Sequence, residues 1–193
     1  MIYTPEFEQQ VIAWAETQQS KGRFAHTQRV VATVTALAEK HAPQEVMVCR
    51  IAAWIHDCAK KYADADLLRM AQERRLSISS SEHETPMLLH GIVAYALATE
   101  KFNLADERLR TACANHTTGS AHMNVIDKLV FLADKMEPDR DFPGVGEIRD
   151  LAQSSLDEAI ILFLDGSIRY LLDKRAIIAV EVLEFYNLLI RSP

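Results

Sequence analysis

The chain lacks the features that mark several protein classes. No apolar run approaches the ~18 residues that a membrane-crossing helix needs, so no membrane span is expected. Glycine and proline number only six each, too few for long flexible linkers. There are three cysteines, Cys49, Cys58 and Cys113, odd in number and widely spaced. That excludes a dense disulfide framework and reads as reduced thiols of a cytoplasmic protein. The opening residues 1–8 lack the basic-then-apolar layout of a secretory signal, which points the same way. An excess of basic residues is also missing. Twenty-one Lys and Arg stand against 27 Asp and Glu, for a formal charge of −6. Broad electrostatic binding to nucleic acid relies on basic surface and is therefore not expected. A small anionic ligand stays allowed, because a local basic pocket or a metal can dominate the field.

Strand patterning is missing too. No stretch alternates apolar and polar residues over a strand length between turn residues, while a 3.6-residue period runs nearly throughout. The expected fold class is all-α, and 193 residues suit one domain with a sizeable core. Helices are expected over about 5–20, ending at Gly22, then about 23–41, 44–57, and from Asp64 or Asp66 to about 75. Residues 76–85 read as a polar loop. Pro86 opens a helix to about 101, as Pro tolerates a first turn. Others run from Asp106 to the stop at Thr117-Thr118-Gly119, over 124–137, over 145–173 with a break near Ser154, and over 176–191. Residues 138–146 are expected to be irregular.

Against this apolar patterning, a few polar residues stand out. His41, His83 and His122 sit in polar or terminal settings and read as solvated. His26, His56, His90 and His116 differ: each lies on or at the end of an apolar helical face, each on its own helix. Asp57 and Asp134 have similar settings. Buried carboxylates are costly unless paired or bound to metal, and six such groups are not all expected to be satisfied by chance hydrogen bonds. His56 and Asp57 are sequence neighbours. Adjacent helical residues point about 100° apart, so these two converge on one ion only if the helix ends or bends there. Cys58 beside them reads as a packing residue. Mixed imidazole and carboxylate donors favour iron, manganese, nickel or cobalt over magnesium. Such a metal lowers the pKa of bound water from 15.7 to about 7, and no G-x-S-x-G or P-loop pattern offers a competing chemistry. Lys60, three residues after Asp57, either pairs with it or reaches a phosphate. Arg140 suits bidentate phosphate binding, with a surface pair to Asp139 or Asp141 as the alternative. Arg23, Thr27 and Glu137 are candidates to orient the ligands.

The order His26, His56-Asp57, His90, His116, Asp134 resembles the HD-domain metal-dependent phosphohydrolases. Narrower motifs are similar to their YqeK-type branch, the bacterial symmetrical bis(5'-nucleosyl)-tetraphosphatases. These are Leu89-His90-Gly91, His116-Thr117-Thr118-Gly119, and the stretch 133–145 (ADKMEPDRDFPGV). The resemblance implies a helical bundle with its metal-site core over about 20–140. It implies one metal on His26, His56, Asp57 and Asp134, iron being the family's metal. His90 and His116 either hold a second ion bridged by Asp57 or contact phosphate directly; both readings stand. Catalytic roles fall to Asp57, Lys60, His90 and His116. Substrate contacts fall to His26, Lys60, His90, His116, Thr117 and Arg140, with residues 175–182 lining a base pocket. The implied reaction is symmetrical cleavage of diadenosine tetraphosphate, a dinucleoside polyphosphate, to two ADP. The alternatives are another HD-type nucleotide hydrolase, acting on mono- or triphosphates or a cyclic dinucleotide, and a non-catalytic nucleotide-binding module. The oligomeric state is open between a monomer and a homodimer.

Overall fold

The computed structural model describes residues 3–191. Among them there are eleven α-helices and no strand: α1 (Pro5–Gln18), α2 (Lys21–His41), α3 (Val46–Ile55), α4 (Asp64–Glu73), α5 (Ser80–Glu84), α6 (His90–Phe102), α7 (Glu107–Asn115), α8 (Val125–Met136), α9 (Val145–Leu151), α10 (Leu156–Asp173) and α11 (Val180–Arg191). The chain is all-α. No described helix is long and apolar enough to cross a membrane.

Side-chain caps start most of these helices. Thr4, Ser20, Ser155 and Asn124 each accept a backbone N–H of the first turn, satisfying donors that an α-helix leaves orphaned. The Ser20 cap corrects one expectation. Gly22 does not end a helix but sits in the first turn of α2, and the break falls at extended Gln19 and Ser20. A second correction concerns 76–85. Ser79 and Glu82 form a reciprocal capping box, which folds Ser80–Glu84 into a helix rather than a loop. Pro86–Leu89 is a 3₁₀ turn, so α6 begins at His90. At the far end, Arg175 adopts φ 50°, and α11 starts at Val180 instead of 176.

The centre is built from α2, α3 and α8, which pack on one another, with α7 against α3 and α8 and α6 against α7. The run Cys49 to Ile55 of α3, broken only by Arg50, is buried, as is Leu129 to Asp134 of α8. A helix apolar nearly all round belongs inside a layer of others. Arg50 escapes by donating to buried Glu8 of α1 at 2.8 Å, and Trp54 Nε1 donates to the same carboxylate at 3.0 Å. This core grips the helix ends that matter: α3 ends at Ile55, α7 at Asn115, and α6 begins at His90.

All three cysteines are free and fully buried. Burial pushes the Cys49 and Cys58 thiols up to about 12 and holds Cys113 well above the usual thiol range. Cys58 donates to the Trp54 carbonyl at 3.3 Å and packs, as its sequence setting suggests. At pH 8 a thiol of pKa 12 is thiolate at a fraction on the order of 10⁻⁴, and the thiolate is the nucleophile. Iodoacetamide is therefore expected to add nothing to the native protein at pH 8 and three groups after denaturation, read by intact mass. A native adduct would show one of these sites to be open.

Candidate metal centre

The helix carrying the His-Asp pair does end there. Cys58 N–H and Lys60 N–H donate to Ile55 and Asp57 carbonyls, tightening the chain into successive turns after α3. His56 Nε2 then lies 3.7 Å from Asp57 Oδ2. Around them the structure brings together His26 from α2, His90 at the first residue of α6, His116 just past α7, and Asp134 from the last turn of α8. All six side chains are buried.

Their rings are held by a repeated device. Nδ1 of His56, His90 and His116 each meets the carbonyl three residues earlier: Ala53 at 2.6 Å, Met87 at 2.5 Å and Cys113 at 2.6 Å. A carbonyl only accepts, so each Nδ1 carries the proton and each Nε2 presents a lone pair. His26 Nδ1 is held by Glu137 Oε1 at 3.1 Å. Glu137 in turn accepts Arg29 Nε at 2.7 Å and Asp139 N–H at 2.9 Å through Oε2. Carboxylate or carbonyl partners of this kind orient imidazoles toward a metal.

The lone pairs converge. His56 Nε2 is buried with no hydrogen-bond partner among the described residues. His90 Nε2 and His116 Nε2 stand 2.8 Å apart, two acceptors that repel unless a cation or proton lies nearby. His26 Nε2 is 3.1 Å from Asp134 Oδ1. The Asp57 carboxylate stands between two groups. Its Oδ2 faces His26 at 3.9 Å and His56 at 3.7 Å; its Oδ1 faces His90 at 3.1 Å and His116 at 3.7 Å. Ligand atoms of His26, His56 and Asp134, and separately of His56, Asp57 and His116, lie within 4.8 Å of one another. This donor set fits a divalent transition metal.

Electrostatics agree with that fit. Burial lowers the His56 pKa and takes His116 down to about 3, so both stay neutral and able to ligate. Burial alone would raise Asp57 and Asp134. Asp57 is nonetheless held low by the polar groups packed around it. For Asp134 the Lys135 ammonium, His26 and His56 do the same. Both carboxylates are held well below the usual range.

Cations ring the centre. Arg23 Nη1 donates to Asp57 Oδ2 at 2.9 Å. Arg140 places Nη2 on Asp134 Oδ1 and Nε on the Asp134 carbonyl, both at 2.8 Å; Asp134, rather than Asp139 or Asp141, is its partner. Lys60 meets His90 Nε2 at 3.3 Å rather than pairing with Asp57. Thr117 Oγ1 lies 3.2 Å from His116 Nε2. Thr27 donates to Gln19 at 2.7 Å. His41, read as solvated, instead reaches the Ala152 carbonyl at 2.8 Å, while His83 and His122 are exposed.

Beside the centre opens a cavity of about 280 Å³, lined by Thr117, Thr118, Lys135, Arg140, Phe142, Phe163, Leu164, Ser167 and Val182. Its cations Lys135 and Arg140 are bonded to Asp134 of the centre, and aromatic and aliphatic side chains complete the lining. Of residues 175–182, only Val182 reaches it. Two glycines shape the site. Gly119 adopts φ 74° and a Cβ there would strike the Phe185 ring; a Cβ on Gly91 would overlap the Cys113 carbonyl oxygen that holds His116.

Two contributors escaped the sequence reading. Lys135 donates to Asp134 Oδ2 at 2.9 Å, with Nζ 5.3 Å from the Phe131 ring centroid. It reads as an ordinary cation at a helix C-terminus, and only its position beside Asp134 could have flagged it. Arg149 holds the loop after α8 from a separate helix, and no local pattern signals that.

Comparison with known proteins adds the following. A family profile for the HD domain matches residues 23–139. A Halalkalibacterium halodurans protein named symmetrical bis(5'-nucleosyl)-tetraphosphatase is 34% identical, over 87% of this chain and 89% of its own. A Bacillus subtilis protein of the same name is 29% identical over 94% and 97%. A crystal structure from Clostridium acetobutylicum, described as a predicted HD superfamily hydrolase involved in NAD metabolism, superposes with a TM-score of 0.89. It is 27% identical and covers 98% of both chains.

Proposed function

The chain belongs to the HD-domain family of hydrolases, and from that premise we propose that it cleaves diadenosine tetraphosphate symmetrically to two ADP. The observation that carries this reading is a juxtaposition. Convergent imidazole lone pairs and two carboxylates adjoin, through Lys135, Arg140 and Thr117, a cavity that aromatic and aliphatic side chains also line. The names of the Bacillus and Halalkalibacterium relatives support the substrate.

In this reading His26, His56, Asp57 and Asp134 hold one metal, with Asp57, His90 and His116 available to a second. The mixed donors favour iron, manganese, nickel or cobalt, and iron is our choice on family resemblance. When bound, the metal supplies Lewis-acid polarisation of a phosphoryl oxygen and an activated water at neutral pH. The residues do the rest. Glu137 and the three i−3 carbonyls keep the imidazole lone pairs aimed inward. Phe142, Phe163, Leu164 and Val182 shelter one adenosine from water. Lys135 and Arg140 bind its phosphates, the guanidinium through its planar fork. Lys60 and Thr117, against the Nε2 atoms of His90 and His116, contact the phosphate being cut. The cavity lies near the lower end of small-ligand sites, which suits one half of the dinucleotide. With that half seated, its second phosphorus lies toward the His-Asp cluster, and attack there releases ADP from both sides. Three buried reduced thiols support a cytoplasmic setting.

The test is product analysis with purified, iron-loaded protein. The expected product is ADP alone; AMP plus ATP, or no turnover, would overturn the reading. A panel of nucleoside mono- and triphosphates and cyclic dinucleotides run alongside should turn over more slowly. Arg140→Ala is expected to raise KM on the order of tenfold, since charge-assisted hydrogen bonds are the strong ones. An unchanged KM would count against a phosphate contact.

A further inference from the structure

Outside the ligands themselves, one side chain gathers an unusual set of acceptors. Arg149 lies on α9, half-buried, and its guanidinium faces the end of α8. Nε donates to the Met136 carbonyl at 2.9 Å. Nη2 donates to the Glu137 and Arg140 carbonyls at 2.9 Å each and to that of Pro138 at 3.3 Å. A helix leaves its last carbonyls without internal donors, and its C-terminal dipole favours a cation. Arg149 answers both needs and goes further, because three of its four acceptors lie beyond the helix.

Besides Arg149, that stretch is tied by Arg29 to Glu137 and Asp139 and by Arg140 to Asp134, but its backbone makes few hydrogen bonds of its own. Glu137 leaves helical geometry with ψ 156°, Pro138 has no N–H to donate, and Gly144 follows at φ 91°. Yet it carries two side chains of the site. Glu137 holds His26 Nδ1. Arg140 spans from Asp134 to the cavity. The acceptor carbonyls of Glu137 and Arg140 belong to the very residues whose side chains must be aimed. Glu137 has further ties through Arg29 and Asp139 N–H. Among the described residues, the Arg140 backbone has only its N–H to the Glu137 carbonyl at 2.9 Å besides Arg149.

We infer that Arg149 is a positioning residue for substrate: by clamping the carbonyls of 136–140 it sets where the Arg140 guanidinium stands, and so sets affinity for the polyphosphate. The inference rests on the reading that Arg140 binds phosphate. A lysine does not replace the clamp. Nε and Nη2 of one planar fork address carbonyls on two sides at once, whereas an ammonium is a single point of charge.

The experiment is a double-mutant cycle in the metal-loaded full chain with diadenosine tetraphosphate, joined by calorimetric titration of ADP as a readout without turnover. Arg149→Gln is expected to raise KM and the ADP Kd about tenfold while kcat changes by less than about threefold. Arg149→Lys, which keeps the helix-end charge, should recover the melting temperature but not KM; it also serves if the glutamine variant fails to fold. In the double variant with Arg140→Ala, KM should match that of Arg140→Ala within about twofold, because an absent side chain has no position left to set. A lowered melting temperature with unchanged KM, or losses that multiply in the double variant, would overturn the inference. An Arg140→Ala protein with unchanged KM overturns the phosphate reading first, and the inference falls with it.

Discussion

Asp57→Ala is expected to lose bound transition metal and, with it, activity by a factor on the order of 10³ or more. The reason is its place between two groups of ligands. Oδ2 faces His26 and His56 while Oδ1 faces His90 and His116, so one carboxylate contributes charge to both sides. Removing it leaves imidazole lone pairs facing one another around a cation short of one negative charge. It also leaves Arg23 without the partner it holds at 2.9 Å, an uncompensated charge beside the site. His116→Ala is the informative contrast. It removes a ligand from the Oδ1 side alone and should leave the metal on His26, His56 and Asp134 in place. Metal per chain by mass spectrometry, measured beside kcat and KM, separates the two. Full metal occupancy in Asp57→Ala would remove Asp57 from the ligand set, and loss of all metal in His116→Ala would show one shared site instead of two.

The second large effect is expected from the smallest change. Gly91→Ala adds one carbon, but that carbon would overlap the Cys113 carbonyl oxygen and lie 2.8 Å from His116 Nδ1 and 2.9 Å from its Cε1. The obstacle is backbone from α7, not a flexible side chain, so α6 and α7 must move apart. Overpacking of this kind costs about 1–3 kcal/mol. The damage to function should exceed that, because the displaced carbonyl is the one that fixes the His116 tautomer, and His90 precedes Gly91 directly. Misplacement by 1 Å can cost about 10²-fold in rate. Gly166→Ala is the control. It lies within α10 with nothing within 4 Å of the added carbon, and an exposed mid-helix Gly to Ala change stabilises by roughly 0.5–1 kcal/mol. Urea melts of both variants, with kinetics on the metal-loaded proteins, test the pair. Wild-type stability and turnover in Gly91→Ala would refute the argument.

These two positions also show how far the sequence could be read. The types and settings of His26, His56, Asp57, His90, His116 and Asp134 stood out because polar groups on apolar helical faces conflict with the surrounding pattern. Gly91 and Gly119 were visible as motif members, but not their reason, which is contact with Cys113 and His116 in one case and Phe185 in the other. The helix over Ser80–Glu84 was missed because serine-rich polar sequence reads as loop, although Ser79 and Glu82 carry the capping-box spacing. Lys135 and Arg149 were missed because each looks like an ordinary surface cation.

What the sequence determines by itself is local. A 3.6-residue apolar period, capping side chains and turn-breaking residues act within a few positions, so the all-helical class and most helix spans follow without knowledge of the fold. The chemical character of the donors follows too, since it resides in the residue types. The tertiary structure decides which atoms face each other. The contacts of His26 with Glu137 and Asp134 span 111 and 108 positions; that of Arg23 with Asp57 spans 34. They depend on how α2, α3 and α8 pack and on where each helix stops. So the two-sided place of Asp57, the inward lone pairs and the Arg149 clamp are properties of packing, because no local pattern encodes the direction in which a helix end points.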